Sequence, residues 1–319
     1  MKIEELKAQL ALPVIVSPMF LVSGTKLVVE CCKNGVLGTF PSLNGRTEQD
    51  FENMLVEIIT ELEKFEKETG TKPAPFGVNI IVNKTNPRVM SDLQLCMKYK
   101  VPVVITSLGA VKEVVDAVHS YGGLIFHDVI KKRHAQKALE AGVDGLIAVS
   151  AGAGGHAGLA NPFALVSEFR SFHKGALVLA GAINSGADIA AAECIGADFA
   201  YMGTHFIAAE ESLAEADYKE ILVESGIDDI IYTDAVSGVN ANFLIKSIER
   251  AGVDLSQKKE EDFSKLNANN SKAWKDIWSA GQGVTAIKQI RPAKAIIADL
   301  KKEYREALEK QAERLANLK

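Results

Sequence analysis

The chain has 319 residues, 47% hydrophobic and 24% charged, with a formal net charge of -5. That balance suits a globular protein that buries its own core, and it excludes a nucleic-acid binder relying on a broad basic field. Cys31, Cys32, Cys96 and Cys194 show no Cys-x-x-Cys spacing, which excludes a disulfide framework or zinc site and fits reduced thiols in a cytoplasmic setting. The amino terminus, MKIEELKAQL, mixes charges of both signs. No apolar run approaches the roughly 18 residues of a membrane helix, so neither a targeting segment nor a membrane partner is expected.

Taken in chain order, short Val- and Ile-rich runs recur at 13–18 (PVIVSP), 35–40, 76–82, 101–107, 122–128, 144–150, 175–181 and 198–203. They are continuously apolar rather than alternating, as in parallel strands covered on both faces. Amphipathic stretches such as AVKEVVDAVHSY (110–121) and KKRHAQKALEAG (131–142) lie between them. A longer helix is expected over 47–69, where Phe51, Leu55, Ile58 and Leu62 recur at helical spacing. Eight βα units predict an α/β fold, a closed (β/α)8 TIM barrel over residues 1–210; an open doubly wound sheet is the alternative that strand counting leaves standing.

Beyond residue 210 the alternation stops, so residues 211–319 are expected to form a mostly helical carboxyl-terminal extension packing on the barrel mouth and side. Within it, IIYTDAV (230–236) is strand-like, the polar stretch 254–272 reads as an exposed loop, and the run after Pro292 is a helix. That helix carries Ile296, Leu300, Tyr304, Ala307 and Leu315 along one face. It covers the body of the molecule or a subunit partner, which leaves a homodimer open.

In such barrels the reacting groups sit in the loops after the strands. The sixth strand runs into SAGAGGHAG (150–158), where Gly152, Gly154 and Gly155 leave the backbone bare around His156. An imidazole there can exchange a proton near neutral pH, the alternative being a capping or core histidine. LAGAIN places Gly181 after strand seven, and YMGTHF places Gly203 and Thr204 after strand eight. Together with the strand-six loop they read as a phosphate cradle of backbone amides and one hydroxyl. At the end of the first strand VIVSPM offers Ser17, a stiff Pro18 and the polarisable Met19. Asn79 interrupts FGVNII with a carboxamide that must find a partner, either the rim of a heterocycle or a neighbouring loop. No metal is expected: His119, His127, His134, His156, His173 and His205 have no ligand spacing.

The ordered set PVIVSPM, PFGVNI, AGAGGHAG, LAGAIN and YMGTHF resembles the FMN-dependent nitronate monooxygenases, formerly 2-nitropropane dioxygenases, over about residues 10–210, with GQGV (281–284) extending the likeness. The resemblance implies a TIM barrel holding FMN non-covalently. Its phosphate would rest on the loops at Gly181 and Gly203–Thr204. The ring would lie near Ser17, Pro18, Met19 and Asn79, with Gly154 and Gly155 at the flavin edge, Gln282 closing over it, and His156 facing the substrate. Two positions depart from the pattern. Ser17 stands where several relatives carry Ala, and Asp128 stands where some carry a flavin-contacting lysine; Lys131, Lys132, His127 or a helix end would then have to supply that positive charge.

The activity implied is oxidation of alkyl nitronates, and of nitroalkanes, by dioxygen to a carbonyl compound and nitrite. The alternative is an NAD(P)H-dependent FMN reductase acting on quinones or enoyl thioesters. From another class, an FMN-free barrel would use the same cradle for a phosphosugar or nucleotide precursor.

Overall fold

The computed structural model describes residues 1–83, 85–109, 112–255 and 276–318. All eight apolar runs are strands: β1 (Val14–Val16), β2 (Leu37–Pro41), β3 (Gly77–Ile81), β4 (Val103–Ser107), β5 (Leu124–Val129), β6 (Gly145–Val149), β8 (Ala176–Ala180) and β9 (Phe199–Met202). They pair in parallel in that order and close into a barrel, with β9 against β1 in the register Val14↔Ala200. Closure decides between the two architectures that strand counting left standing.

Because successive side chains on a strand point to opposite faces, each run sends one alternate set inward. Ile15, Leu37, Val103, Ile105, Phe126, Ile147, Val178 and Phe199 form a buried inner cluster. Phe126 and Phe199 meet edge to face, with centroids 6.3 Å apart. Gly145 makes room for this pair, since a Cβ there would lie 2.5 Å from the Phe126 ring. The helix Ile3–Gln9, not anticipated from sequence, adds the fully buried Leu6 to the same cluster from the amino-terminal side of the strands. The other alternate set, including Val78, Ile80, Val104, Ile125 and Leu146, packs under the surrounding helices.

The long helix is Glu48–Thr69. Thr47 caps it by accepting from the Asp50 amide, Gly70 ends it at φ 68, and Phe51, Leu55, Ile58 and Leu62 are its buried face, as their spacing predicts. The terminal helix Ala293–Ala316 buries Ile296, Ile297 and Leu300 and lies against the helix Gly186–Cys194. Leu315, expected on the same face, is 70% exposed, so the buried apolar contacts of the helix lie in its first half. Its backbone comes so close that a Cβ on Gly186 would collide with the Leu300 carbonyl and the Tyr304 amide.

The extension contributes sheet as well as helix. β10 (Ile230–Thr233) and β11 (Ala241–Leu244) pair antiparallel, and β11 pairs in turn with the short β7 (Gly155–His156) of the glycine-rich loop. The expected loop at 254–272 falls almost wholly within residues 256–275, outside the described residues. Among the described residues no helix is long and apolar enough to cross a membrane.

Candidate active site

The strand period also builds the floor of the site. Two residues beyond the inner apolar layer, towards the carboxyl ends of the strands, come Ser17, Asn79, Ser107, Asp128 and Tyr201, following Ile15, Gly77, Ile105, Phe126 and Phe199. All five line one cavity of about 1390 Å³ at that end of the barrel. Three of them are connected: the Asn79 Nδ2 donates to Ser107 Oγ at 2.8 Å and to the Ile105 carbonyl at 3.2 Å, and Ser107 Oγ donates to Asp128 Oδ2 at 2.6 Å. Burial pushes the Asp128 carboxyl up to about 6, with the Ser107 hydrogen bond acting the other way. Burial, and then the Asp128 charge, hold the Tyr201 phenol well above its ordinary value. Asp128 Oδ1 and the Tyr201 hydroxyl are buried without a hydrogen-bond partner among the described residues.

His127 belongs to the opposite alternate set of β5. Its Nδ1 is 2.7 Å from the hydroxyl of Thr106, itself on the outward set of β4, and burial pushes its pKa down to about 4. It is therefore neutral at pH 7 and adds no positive charge to the floor. Lys131 and Lys132 are exposed and line the same cavity at its rim.

His156 sits on β7 opposite Ala241 and lines the cavity. Burial lowers its pKa to about 4, so the imidazole is neutral at pH 7. Its loop is held from the extension. Asn242 Nδ2 donates to the Ala153 carbonyl at 2.7 Å, and the Tyr232 hydroxyl donates to the Ala157 carbonyl at 2.8 Å. Tyr232 comes from a part of the chain that carried no site residue in the sequence reading.

The bare backbone before His156 has two causes. At Gly154 two loops touch, since a Cβ there would lie 2.8 Å from the Gly281 amide. The Gly281 N–H donates to Thr204 Oγ1 and the Gln282 N–H to the Gly152 carbonyl, at 2.8 and 2.9 Å. At Gly155 the reason is conformational, because φ is +68 with open space where a Cβ would stand. Gln282 is exposed and its side chain lies beside Gly152; Gly281 and Gly283, rather than Gln282, line the cavity.

On the far side of the mouth, Gly181 follows β8 at φ +129, and a Cβ there would collide with the Ser150 hydroxyl. Gly203 precedes the short helix Thr204–Ile207, and a Cβ on it would collide with Ser17 Oγ and lie 3.5 Å from Met19 Sδ. Pro18, Met19, Gly181, Gly203 and Thr204 all line the cavity. Every residue singled out from sequence therefore faces one space, with Gln282 the exception. Among the described residues no group of three or more His, Cys, Asp or Glu side chains is placed to hold a metal ion.

Three relatives bracket the chain. Nitronate monooxygenase of Neurospora crassa is 24% identical over 348 residues, spanning 93% of this chain and 90% of that protein. A 5-hydroxy-7a-methyl-1-oxo-octahydro-1H-indene-4-carboxyl-CoA dehydrogenase of Rhodococcus jostii is 26% identical over 75% of this chain, and the match spans 65% of that longer protein. The solved structure of FabK from Thermotoga maritima superposes with a TM-score of 0.78 at 26% identity, covering 98% of both chains. The family described as nitronate monooxygenase matches residues 4–303. With that match over nearly its whole length, on a closed eight-stranded barrel, the chain belongs to the nitronate monooxygenase family of flavin-dependent oxidoreductases.

Proposed function

We propose that the protein oxidises alkyl nitronates with dioxygen, giving a carbonyl compound and nitrite, on FMN held at the barrel mouth. The fit to such a cofactor rests on the floor: Asp128 Oδ1 and the Tyr201 hydroxyl are buried polar atoms lacking partners among the described residues. Leaving them so is costly, and a heterocycle with its own donors and acceptors relieves that cost. Asn79, Ser107, Asp128 and Tyr201 would hold the polar edge of the ring, and Pro18 and Met19 its apolar surface. The backbone at Gly181, Gly203 and Thr204 would hold the phosphate. FMN, when bound, supplies the electron chemistry between substrate and dioxygen.

The choice of substrate rests on the place of His156 on the cavity wall, where burial pushes its imidazole down to about 4. A base whose pKa is held near 4 is poorly matched to abstracting a proton from carbon at neutral pH, where the best base titrates close to the working pH. A nitronate needs no such step, because its carbon is already deprotonated. Neutral imidazole offers one N–H to donate and one nitrogen to accept. An anion bound beside it favours the imidazolium, drawing a proton onto the ring as the nitronate binds. His156 on this reading orients and neutralises the substrate, and the loop amides would add N–H donors to the bound anion. The test is nitrite release by native protein and His156→Asn with a preformed nitronate and with its parent nitroalkane. A native preference for the nitronate that the variant reduces supports the reading; equal rates for both substrates would remove it.

A second reading, an NAD(P)H-dependent reductase of quinones or enoyl thioesters, draws on the likeness to FabK and to the CoA-thioester dehydrogenase. The cavity, at about 1390 Å³, exceeds the roughly 300–1,000 Å³ that encloses one drug-sized ligand, as a cofactor together with a bulky second substrate would need.

A further inference from the structure

The cavity exceeds the roughly 300–1,000 Å³ that encloses one drug-sized ligand, and its rim is strongly cationic on one side. After β5 the chain reads KKRHAQK over residues 131–137, and Lys131, Lys132, Arg133, His134 and Lys137 all line the cavity. The four permanent cations are exposed. Some exposed cations of this acidic protein meet carboxylates, as in Lys98–Glu52, Lys112–Asp116 and Arg250–Asp217, and others, such as Lys26, Lys64 and Lys72, form no ion pair among the described residues. None of the four at the rim forms one either, and what sets them apart is that they crowd into seven residues on the wall of one cavity. Lys132 Nζ lies over the Phe172 ring at 5.5 Å, and Arg133 Nε donates to His134 Nε2 at 3.2 Å. The exposed carboxylates of the lining, Glu168 and Glu215, are not paired with them either. Four like charges gathered within seven residues repel one another, and that cost is recovered when a multivalent anion sits among them.

We propose that this rim binds the polyphosphate end of an extended ligand whose reacting end reaches the barrel floor. Arg133 presents a planar fork suited to a phosphate, with Lys131, Lys132 and Lys137 as point charges around it. The chemistry is that of adenosine diphosphate bearing an additional ribose phosphate, carried either by a reduced nicotinamide donor or by a thioester carrier. The site goes beyond the nitronate reading and stands or falls separately from it, because nitronate turnover requires neither molecule.

The test is calorimetric titration of the flavin-loaded protein with adenosine 2′,5′-bisphosphate, adenosine 3′,5′-bisphosphate and unphosphorylated adenosine. Native protein, Arg133→Glu/Lys137→Glu and Arg133→Ala/Lys137→Ala are compared; the substituted positions are exposed, so the fold is not at stake. The expected result is saturable binding of the bisphosphates and none of adenosine, weakened as salt rises from about 50 to about 200 mM. The charge-reversed pair should lose at least about tenfold in affinity and the alanine pair less. Preference for the 2′-phosphate identifies the nicotinamide donor as the source, and preference for the 3′-phosphate the thioester carrier. Absence of saturable binding, or equal affinity in native protein and both variants, overturns the assignment and leaves the run as a solvated face.

Discussion

Replacing Asp128 by Asn makes the polar floor measurable through stability. The substitution keeps size and an acceptor for the Ser107 hydroxyl, which donates to Asp128 Oδ2 at 2.6 Å, while removing the ionisation. Burial raises this carboxyl from 3.8 to about 6, a shift of about 2 units or about 3 kcal/mol against the ionised form. Because the folded-state value lies above the unfolded one, the native protein bears no ionisation cost below about pH 4. The cost grows as pH rises through the folded value and is complete by about pH 8. Urea denaturation of flavin-stripped native and Asp128→Asn protein should therefore show near-equal midpoints at pH 4. At pH 8 the variant should be the more stable by up to about 3 kcal/mol. A stability difference independent of pH, or one that favours the native protein at pH 8, would refute the burial argument for this residue.

Other expectations follow from single contacts. His156→Asn should retain FMN, read from the absorbance of the purified protein, while nitrite release falls by roughly 10²-fold or more; an unchanged rate removes His156 from the chemistry. Gly186→Ala places a methyl against the backbone of the terminal helix and should cost about 1–3 kcal/mol, seen as a lowered Tm and proteolysis within residues 293–316. Gly203→Ala drives a Cβ into the Ser17 hydroxyl and should yield folded protein with much less flavin, whereas the same change at the exposed Gly70, where nothing lies within 4 Å, should leave flavin content alone.

The barrel was legible because its strands are short, apolar on both faces and punctuated by amphipathic helices. Strand alternation also held a signal for the floor. Counting inward from Phe126 and Phe199 reaches Asp128 and Tyr201, and counting from Ile105 reaches Ser107. Tyr201 and Ser107 were passed over because each sits in an apolar run where a lone hydroxyl looks unexceptional. The same count puts His127 in the opposite alternate set, where its Nδ1 meets the Thr106 hydroxyl, although the residue still lines the cavity. Tyr232 and Asn242 had no local signal, since their contacts to Ala157 and Ala153 exist only once β10 and β11 pair with the glycine-rich loop. The close approach of Gly154 to Gly281 likewise joins segments more than a hundred residues apart, so the glycines read as ligand-facing from sequence are in part loop-facing.

Anaerobic mixing of the FMN-loaded protein with an alkyl nitronate, with NADH and with NADPH, followed by the flavin absorbance, decides whether electrons pass from a nitronate to the flavin at this mouth. The nitronate should reduce the flavin, and readmitted dioxygen should restore its colour with release of nitrite. Flavin that stays oxidised with the nitronate yet bleaches rapidly with a reduced nicotinamide would make the protein a nicotinamide-dependent reductase instead.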